Sequence, residues 1–374
     1  MPTQPIVVVG GGPAGSTTAL LLAQRGAQVV LLDGARFPRR KACAEYISPG
    51  GARLLAELGL DLTGHGRRLR GMEIYGPSGA CHAVKYSDPD GQARLGLSID
   101  RFVLDAALLN LARAHGVEVR EGCRVSGVVT DQRRVTGVRL MDSNVVKAEL
   151  VIGADGIHSV VARTAGPPLG TYWPRRLGLV AHYRGVPWPE PFGQLRVGHS
   201  GYVGVAPLDD DGLVTVGLVT PLTKRPATFD AALADYPPLV RRLAAGQRLE
   251  PLLGIGPLAR RVRACQGPGY LLVGDAAGFF DPFTGEGIYR ALRGAQLAAT
   301  AIADDVDYAQ LRRRAFATKE RLTMVIQLFV QSPPLLELAL RRFQRRPVLA
   351  RQLGNVLGDL EPARLSLVWH LLRP

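Results

Sequence analysis

Three short segments of glycine and acid, far apart in a chain of 374 residues, carry the residue types that a phosphate-rich ligand needs. The first, Gly10-Gly-Gly12-Pro13-Ala14-Gly15, follows the apolar run Ile6 to Val9, and Asp33 closes the next apolar run, Val29 to Leu32. Gly10 permits a tight turn, Gly12 lets a pyrophosphate approach the backbone, and Gly15 lets a helix pack closely on a strand. The helix start offers free N–H groups and a positive dipole end to phosphates, and Asp33 is placed to accept hydrogen bonds from a ribose. This pattern alone points to a dinucleotide without separating FAD from NAD. Two later segments favour FAD. Val151-Ile-Gly-Ala-Asp155-Gly156 and Leu271-Leu-Val-Gly274-Asp275-Ala-Ala-Gly278 each set an acid at the end of an apolar run, where ligands of open α/β sheets bind, and an aspartate there can bond ribityl hydroxyls. Just downstream, Gly285, Gly287 and Ile288 belong to a turn that opens a long helix. Such a helix start can stabilise the anion of a reduced flavin at its pyrimidine edge.

The elements that must hold these segments follow from hydrophobic periodicity. Strand, glycine turn, helix over Ser16 to Arg25 and strand again within about 30 residues is the βαβ unit of a parallel sheet. From Arg70 to Leu97 short runs broken by Gly76-Pro-Ser-Gly79 and Asp88-Pro-Asp-Gly91 predict antiparallel strands. A helix is expected over Arg101 to Ala114, and strands at 117–119, 125–130, 135–140 and 150–152. Further strands are expected within Leu177 to Thr220, notably 202–206 and 213–219, then at Tyr270 to Val273, with helix after Gly287. The fold class is therefore α/β with an α+β character overall. A Rossmann-type cofactor domain built from 1–70, 100–165 and 262–310 interleaves with a mixed antiparallel-sheet substrate domain from 71–99 and 166–261, and 311–374 forms a helical C-terminus.

The three turns, in this order across nearly the whole chain, resemble the FAD motifs of the p-hydroxybenzoate-hydroxylase-like flavoprotein superfamily. Phe37-Pro-Arg-Arg-Lys41-Ala-Cys43-Ala44-Glu45, Gly201-Tyr202-Val-Gly-Val-Ala-Pro207 and Asp281 to Ile288 resemble its geranylgeranyl reductase branch. The resemblance implies FAD contacts at Ala14, Asp33, Cys43, Ala44, Arg101, Val125, Asp275, Gly287 and Ile288. Lys41, Tyr46, Asp155, Gly274 and Gly285 lie in the same motifs and join the candidate set. Arg101, at the start of its helix, would face the negative part of the cofactor; its ordinary alternative is a solvated surface residue. Two departures stand out: Cys43 is followed by Ala44 where the branch tends to have glycine, and Gly204 replaces an aromatic, which reshapes the pocket.

Cys43 is placed by the resemblance to give a proton to a carbon that has accepted hydride, although free cysteines are more often buried small hydrophobes. Glu45, Tyr46 and Tyr202 are further acid/base candidates. His182 and His199, both expected on strands, could act as base on a phenol, with a core or surface histidine as the ordinary reading. The favoured function is reduction of a carbon–carbon double bond in a prenyl or polyketide-derived lipid. The alternatives are an NAD(P)H-dependent aromatic monooxygenase and a non-catalytic FAD-binding protein docking through its basic C-terminal helices. The halogenase Trp-x-Trp-x-Ile-Pro segment is absent. With no second G-x-G-x-x-G unit, NAD(P)H would reduce the flavin as a transient visitor.

Composition sets the remaining bounds. A net charge of +14 and a pI near 10.1 suit an anionic partner, yet lysine occurs only at 41, 85, 147, 224 and 319, and the skew to arginine matches a compositional bias better than a binding patch. The arginines are spread along the chain, so nucleic-acid binding is not expected. Four cysteines without a C-x-x-C pair suggest neither a metal site nor disulfides. The lack of a signal-like start or a membrane-length apolar run favours the cytoplasm, with peripheral membrane contact through the C-terminal alternation of arginines and apolar stripes left open.

Overall fold

The computed structural model describes residues 4–62, 64–88, 90–166, 173–199, 201–223, 227–364 and 366–367. Pro89 of the expected turn at 88–91, and residues 368–374 of the expected C-terminal segment, lie outside them.

The first layer is a six-stranded sheet in the order Gln266–Gly267, Tyr270–Leu272, Leu150–Gly153, Ile6–Val9, Val29–Asp33 and Glu118–Glu121. All of its pairings are parallel except that of Gln266–Gly267. Its central strands read as unbroken apolar runs because both faces are covered: Val7, Val8, Leu31, Leu32, Val151 and Ile152 are fully buried. Helices Pro13–Ala23, Arg101–Ala114 and Gly287–Ala303 contribute to the core on one side. The antiparallel sheet of Val125–Asp131, Arg134–Leu140 and Val145–Lys147 packs on the other. Pro13 starts the first helix, where its missing N–H costs nothing, and the Asp100 side chain caps helix Arg101–Ala114 through the Phe102 N–H.

A seven-stranded sheet runs Gln247–Ile255, Arg176–Arg184, Val214–Pro221, Tyr202–Pro207, Phe192–Val197, Gly71–Tyr75 and Cys81–Lys85. It is mixed, as expected, and mainly antiparallel. Gly71–Tyr75 and Phe192–Val197 come from distant parts of the chain and pair parallel. Strand Gly96–Ser98 also leaves this sheet and pairs instead with Tyr46–Ile47 and Arg67–Leu69. Strand Gln247–Ile255 had no clean alternation to announce it. It carries Pro251 and pairs on one side only, the edge position that a proline tolerates. The alternation within the sheet sends Ala181, Tyr183, Val203, Val205, Val214 and Val216 into a core with helices Phe229–Leu233 and Pro237–Leu243. The intervening positions, including His182, Gly204, Thr215 and Gly217, face the other way.

Among the described residues the C-terminal segment is mainly helical, as expected, with helices Tyr308–Gln331, Pro333–Arg345 and Pro347–Leu357. A buried charge cluster ties them to the rest. Lys319 forms ion pairs with Glu286 (3.2 Å) and with Asp359, and the Ser48 hydroxyl donates to Asp359 Oδ2 at 2.6 Å. Burial raises the Asp359 carboxyl from its ordinary 3.8 to about 6, with Lys319 opposing the rise.

An acid whose pKa is higher in the fold than in the open chain holds its proton more tightly when folded. Its stabilising contribution is complete below about pH 4 and lost as pH rises through about 6, a change of at most about 3 kcal/mol. Asp359→Asn keeps a partner for Ser48 and leaves Lys319 its Glu286 pair. Urea unfolding from pH 4 to 7 is expected to lose that share of its pH dependence in the variant, and equal slopes in both proteins would contradict the assignment.

Candidate cofactor site and the junction beside it

The glycine turn sits where backbone meets backbone. Gly10 has φ +105°, and a Cβ there would lie 2.5 Å from the Ala154 carbonyl oxygen; a Cβ on Gly15 would lie 1.8 Å from the Gly10 oxygen. No other residue fits either place. Gly12 differs: its Cβ direction meets only the guanidinium groups of Arg39 at 3.7 Å and Arg101 at 3.9 Å. The turn, a helix start with no side-chain cap and two arginines thus enclose a space suited to a pyrophosphate. Asp33 accepts the Gly11 and Ala35 N–H groups at 2.7 Å each, which fixes its carboxylate beside the turn.

Arg101 is not a surface residue. It is buried and holds Asp105 through Nε at 2.6 Å and Nη2 at 2.8 Å, while Arg39 reaches the same carboxylate at 3.0 Å. Arg39 also lies 3.9 Å from Asp33 Oδ2, so two guanidiniums positioned by two carboxylates face Gly12. Neither Arg39 nor Asp105 was a sequence candidate. The four-residue step from Arg101 to Asp105, one helical turn, was the available signal.

The two later turns meet the first. Gly274, at φ +59°, presents a position where a Cβ would lie 2.7 Å from that of Ala14. Asp275 follows, partly buried, with its carboxyl raised by burial and drawn back by Lys41, Arg101 and Arg290. Burial, with Arg39 and Arg101 nearby, lowers the Lys41 ammonium, and its Nζ lies 3.8 Å from a Cβ built on Gly156. Asp155 accepts the Val160 N–H at 2.7 Å through Oδ2, and its Oδ1 is buried without a partner. Val125 starts the strand beneath, 7% exposed.

Gly285, at φ +68°, lets its backbone approach the Tyr46 ring, 2.6 Å from the Cβ it lacks, and the Tyr46 hydroxyl donates to that of Tyr86 at 2.7 Å. Gly287 has nothing within 4 Å of where a Cβ would be, no side chain caps the helix that it and Ile288 open, and the Thr284 hydroxyl is buried without a partner. Open space before an uncapped helix start, with the orphaned Thr284 oxygen in the turn that leads into it, fits a flavin nucleotide.

Beside this cradle the segment Cys43 to Tyr46 packs against the seven-stranded sheet and leads into the short strand Tyr46–Ile47. The Ala44 methyl lies 3.3 Å from a Cβ built on Gly217 and 4.0 Å from one on Gly204, two directly paired residues on neighbouring strands. Gly217 was not anticipated. Its place at an inward position of the alternating Val214 to Val219 run was the clue. Glu45 has φ +59° and is 1% exposed; its carboxylate accepts the Arg101 N–H at 3.1 Å and lies 2.8 Å from His182 Nε2. Sequence reasoning treated Glu45 and His182 separately, and the fold makes them one pair. Burial raises both the Cys43 thiol and the Glu45 carboxyl, opposed at Cys43 by Arg101 and at Glu45 by His182. The Glu45 N–H also donates to Cys43 Sγ at 3.3 Å.

Tyr202 is tied up differently. Its hydroxyl donates to Asp281 Oδ1 at 2.6 Å, and Arg176 and Gln327 complete a buried network on that carboxylate. Burial and Asp281 hold the phenol well above its ordinary range, so its proton stays in the clamp. His199 lies exposed past the end of Phe192–Val197, not on a strand.

The chain is 31% identical to the menaquinone reductase of Mycolicibacterium smegmatis over 403 aligned residues, covering 98% of this chain and 95% of the relative. It is 30% identical to digeranylgeranylglycerophospholipid reductase 1 of Methanococcoides burtonii, over 80% of this chain and 75% of that one. Among solved structures, a geranylgeranyl bacteriochlorophyll reductase-like protein from Thermoplasma acidophilum superposes with TM-score 0.76 at 22% identity, over 98% and 95% of the two chains. A flavin-dependent brominase does so with TM-score 0.82 at 21% identity, over 98% and 97%, a likeness of fold alone. No helix among the described residues is long and apolar enough to cross a membrane. With residues 3–331 matching the FAD binding domain family, the same stretch that forms the cradle and the sheet facing it, the chain belongs to that family of oxidoreductases.

Proposed function

We propose that this protein is an FAD-dependent reductase that saturates a carbon–carbon double bond of a lipophilic quinone or prenyl lipid, with NAD(P)H as a transient electron donor. The observation that carries this reading is the Cys43 thiol, whose hold on its proton burial strengthens, next to the buried Glu45–His182 pair where the cofactor cradle meets the glycine patch of the large sheet. Bound FAD, once reduced, supplies the hydride. This chain's own residues must then place a proton on the neighbouring carbon, and a thiol that keeps its proton suits that task. Arg101 stands close enough to stabilise the thiolate left behind. The relatives named for menaquinone and for digeranylgeranylglycerophospholipid support the substrate class.

In this reading Gly10 to Gly15 with Arg101 hold the pyrophosphate, Asp33 the adenosine ribose and Asp275 the ribityl chain. Lys41, Ala44, Tyr46, Val125 and Asp155 line the course of the cofactor, and Gly285, Gly287 and Ile288 meet the flavin edge. Residues 1–70, 100–165 and 262–310 act as the cofactor domain, and 71–99 with 166–261 as the substrate domain. Gly204 and Gly217 keep that wall flat, which admits Ala44 against it. Hydroxylation of a phenol would need a free base, and His182 already engages Glu45.

Anaerobic mixing of the reduced holoenzyme with menaquinone is expected to reoxidise the flavin and yield a product that is still two hydrogens heavier after air has returned any quinol to quinone, the gain lying in the prenyl chain. Reoxidation that requires oxygen and a phenol would establish a hydroxylase instead, and a flavin that never cycles would mark a binding protein. Cys43→Ala should retain FAD and its rate of reduction by NAD(P)H while slowing reoxidation by lipid roughly 10²-fold or more. Since the thiol works protonated and its pKa is raised, the wild-type reoxidation rate should show no falling limb below about pH 8.5, the ordinary thiol value. A decline at lower pH would count against Cys43 as the donor.

A further inference from the structure

We propose that the corner formed by the C-terminal helices is a seat on an anionic phospholipid bilayer. The inference rests on the lipid-reductase reading and adds where the enzyme meets its substrate.

Helices Tyr308–Gln331 and Pro333–Arg345 are joined through Ser332 alone and bend by 109°. Each leaves apolar side chains in water on either side of the bend: Met324 (41% exposed) and Leu328 (52%) one turn apart on the first, Leu335 (37%) and Leu338 (41%) on the second. Val348, 58% exposed, continues the display at the start of Pro347–Leu357. Their other faces are committed to the core, where Leu322, Val330, Leu336, Leu340 and Phe343 are buried. Single exposed leucines are ordinary, but a group of five on adjoining helices asks for an apolar neighbour.

Charge selects the neighbour. Between 321 and 358 the chain has six arginines and one acid, Glu337, whose carboxylate accepts the Ser78 N–H at 3.0 Å. Arg321, Arg341, Arg345 and Arg351 are exposed around the apolar group. Leucine and methionine flanked by arginine is the composition of a helix lying in the interface of an anionic leaflet, with apolar side chains below the headgroups and guanidiniums among the phosphates. No span is needed, and the bend favours lying on the surface over crossing. The position is apt as well. The core cluster beneath these helices also contains Tyr202 and Phe283, so the seat lies over apolar packing continuous with the proposed substrate side.

The test is flotation of the full FAD-loaded protein with vesicles of phosphatidylcholine, with and without phosphatidylglycerol, at low and high salt. Binding is expected only with the anionic lipid and should weaken with salt. Arg341→Glu with Arg345→Glu, and separately Leu328→Ser with Leu338→Ser, should each weaken it roughly tenfold or more. Both variants should keep full turnover of a short-tailed quinone in detergent, so a seat that fails is distinguishable from a reductase reading that fails. Equal binding to neutral and anionic vesicles, unchanged binding by both double variants, or a dimer in light scattering that the leucine changes dissociate would overturn the proposal.

Discussion

The structure depends on how closely three backbone turns approach one another at the carboxyl ends of the parallel strands. Gly15 against Gly10, Gly10 against Ala154 and Gly274 against Ala14 leave no room for even a methyl group. These contacts bring a helix start, the Asp155 turn and the Asp275 turn into one small region. Charges then concentrate because the backbone has placed them, not because they attract one another. Arg39 and Arg101 share it with Asp33, Asp105 and Asp275, mostly shielded from solvent, with the more exposed Lys41 beside them. A site of mixed, preorganised charge with open space before Gly12 and Gly287 suits a ligand that is anionic in its middle and gains charge at one end on reduction.

The second constraint is strain at the junction. Glu45 occupies the left-handed region without being glycine, a conformation that costs on the order of 1 kcal/mol or more and persists only where its surroundings impose it. Here they do: the Arg101 N–H and His182 grip its carboxylate from two layers of the fold. The strained residue thereby fixes Cys43 and Ala44 against the flat Gly204–Gly217 patch. Loss of His182 would leave a buried carboxyl short of a partner, so a residue of the large sheet helps set the geometry of a segment belonging to the cofactor cradle.

Much of this was legible in the chain because it followed local rules. The glycine spacing, the apolar runs of the parallel strands and the capped start at Asp100–Arg101 each bear on a few neighbouring residues, and helix Arg101–Ala114 lies where the periodicity put it. What was not legible involves partners distant in sequence. The parallel pairing of Gly71–Tyr75 with Phe192–Val197 joins strands over 100 residues apart, and the Glu45–His182 contact spans 137 residues. Helix Pro49–Glu57 escaped notice for another reason: Gly50 and Gly51 are poor helix formers, retained because a Cβ at either would press on Asp359 or Ile47. Tertiary packing overrode propensity there.

That last contact bears on how the C-terminal helices relate to the cradle. Gly50 lies against the backbone of Asp359, and its N–H donates to the Gly358 carbonyl at 2.9 Å. Lys319 spans from Asp359 to Glu286, the residue immediately before Gly287. Arg290, one turn on, pairs with Glu286 and with Glu320, the neighbour of Lys319. Separating the helices from the cofactor turn would break all of these pairs together. The C-terminal helices and the turn at Gly287 are therefore joined through one charge cluster. Whatever holds the corner in place also fixes the orientation of the helix start that would meet the flavin.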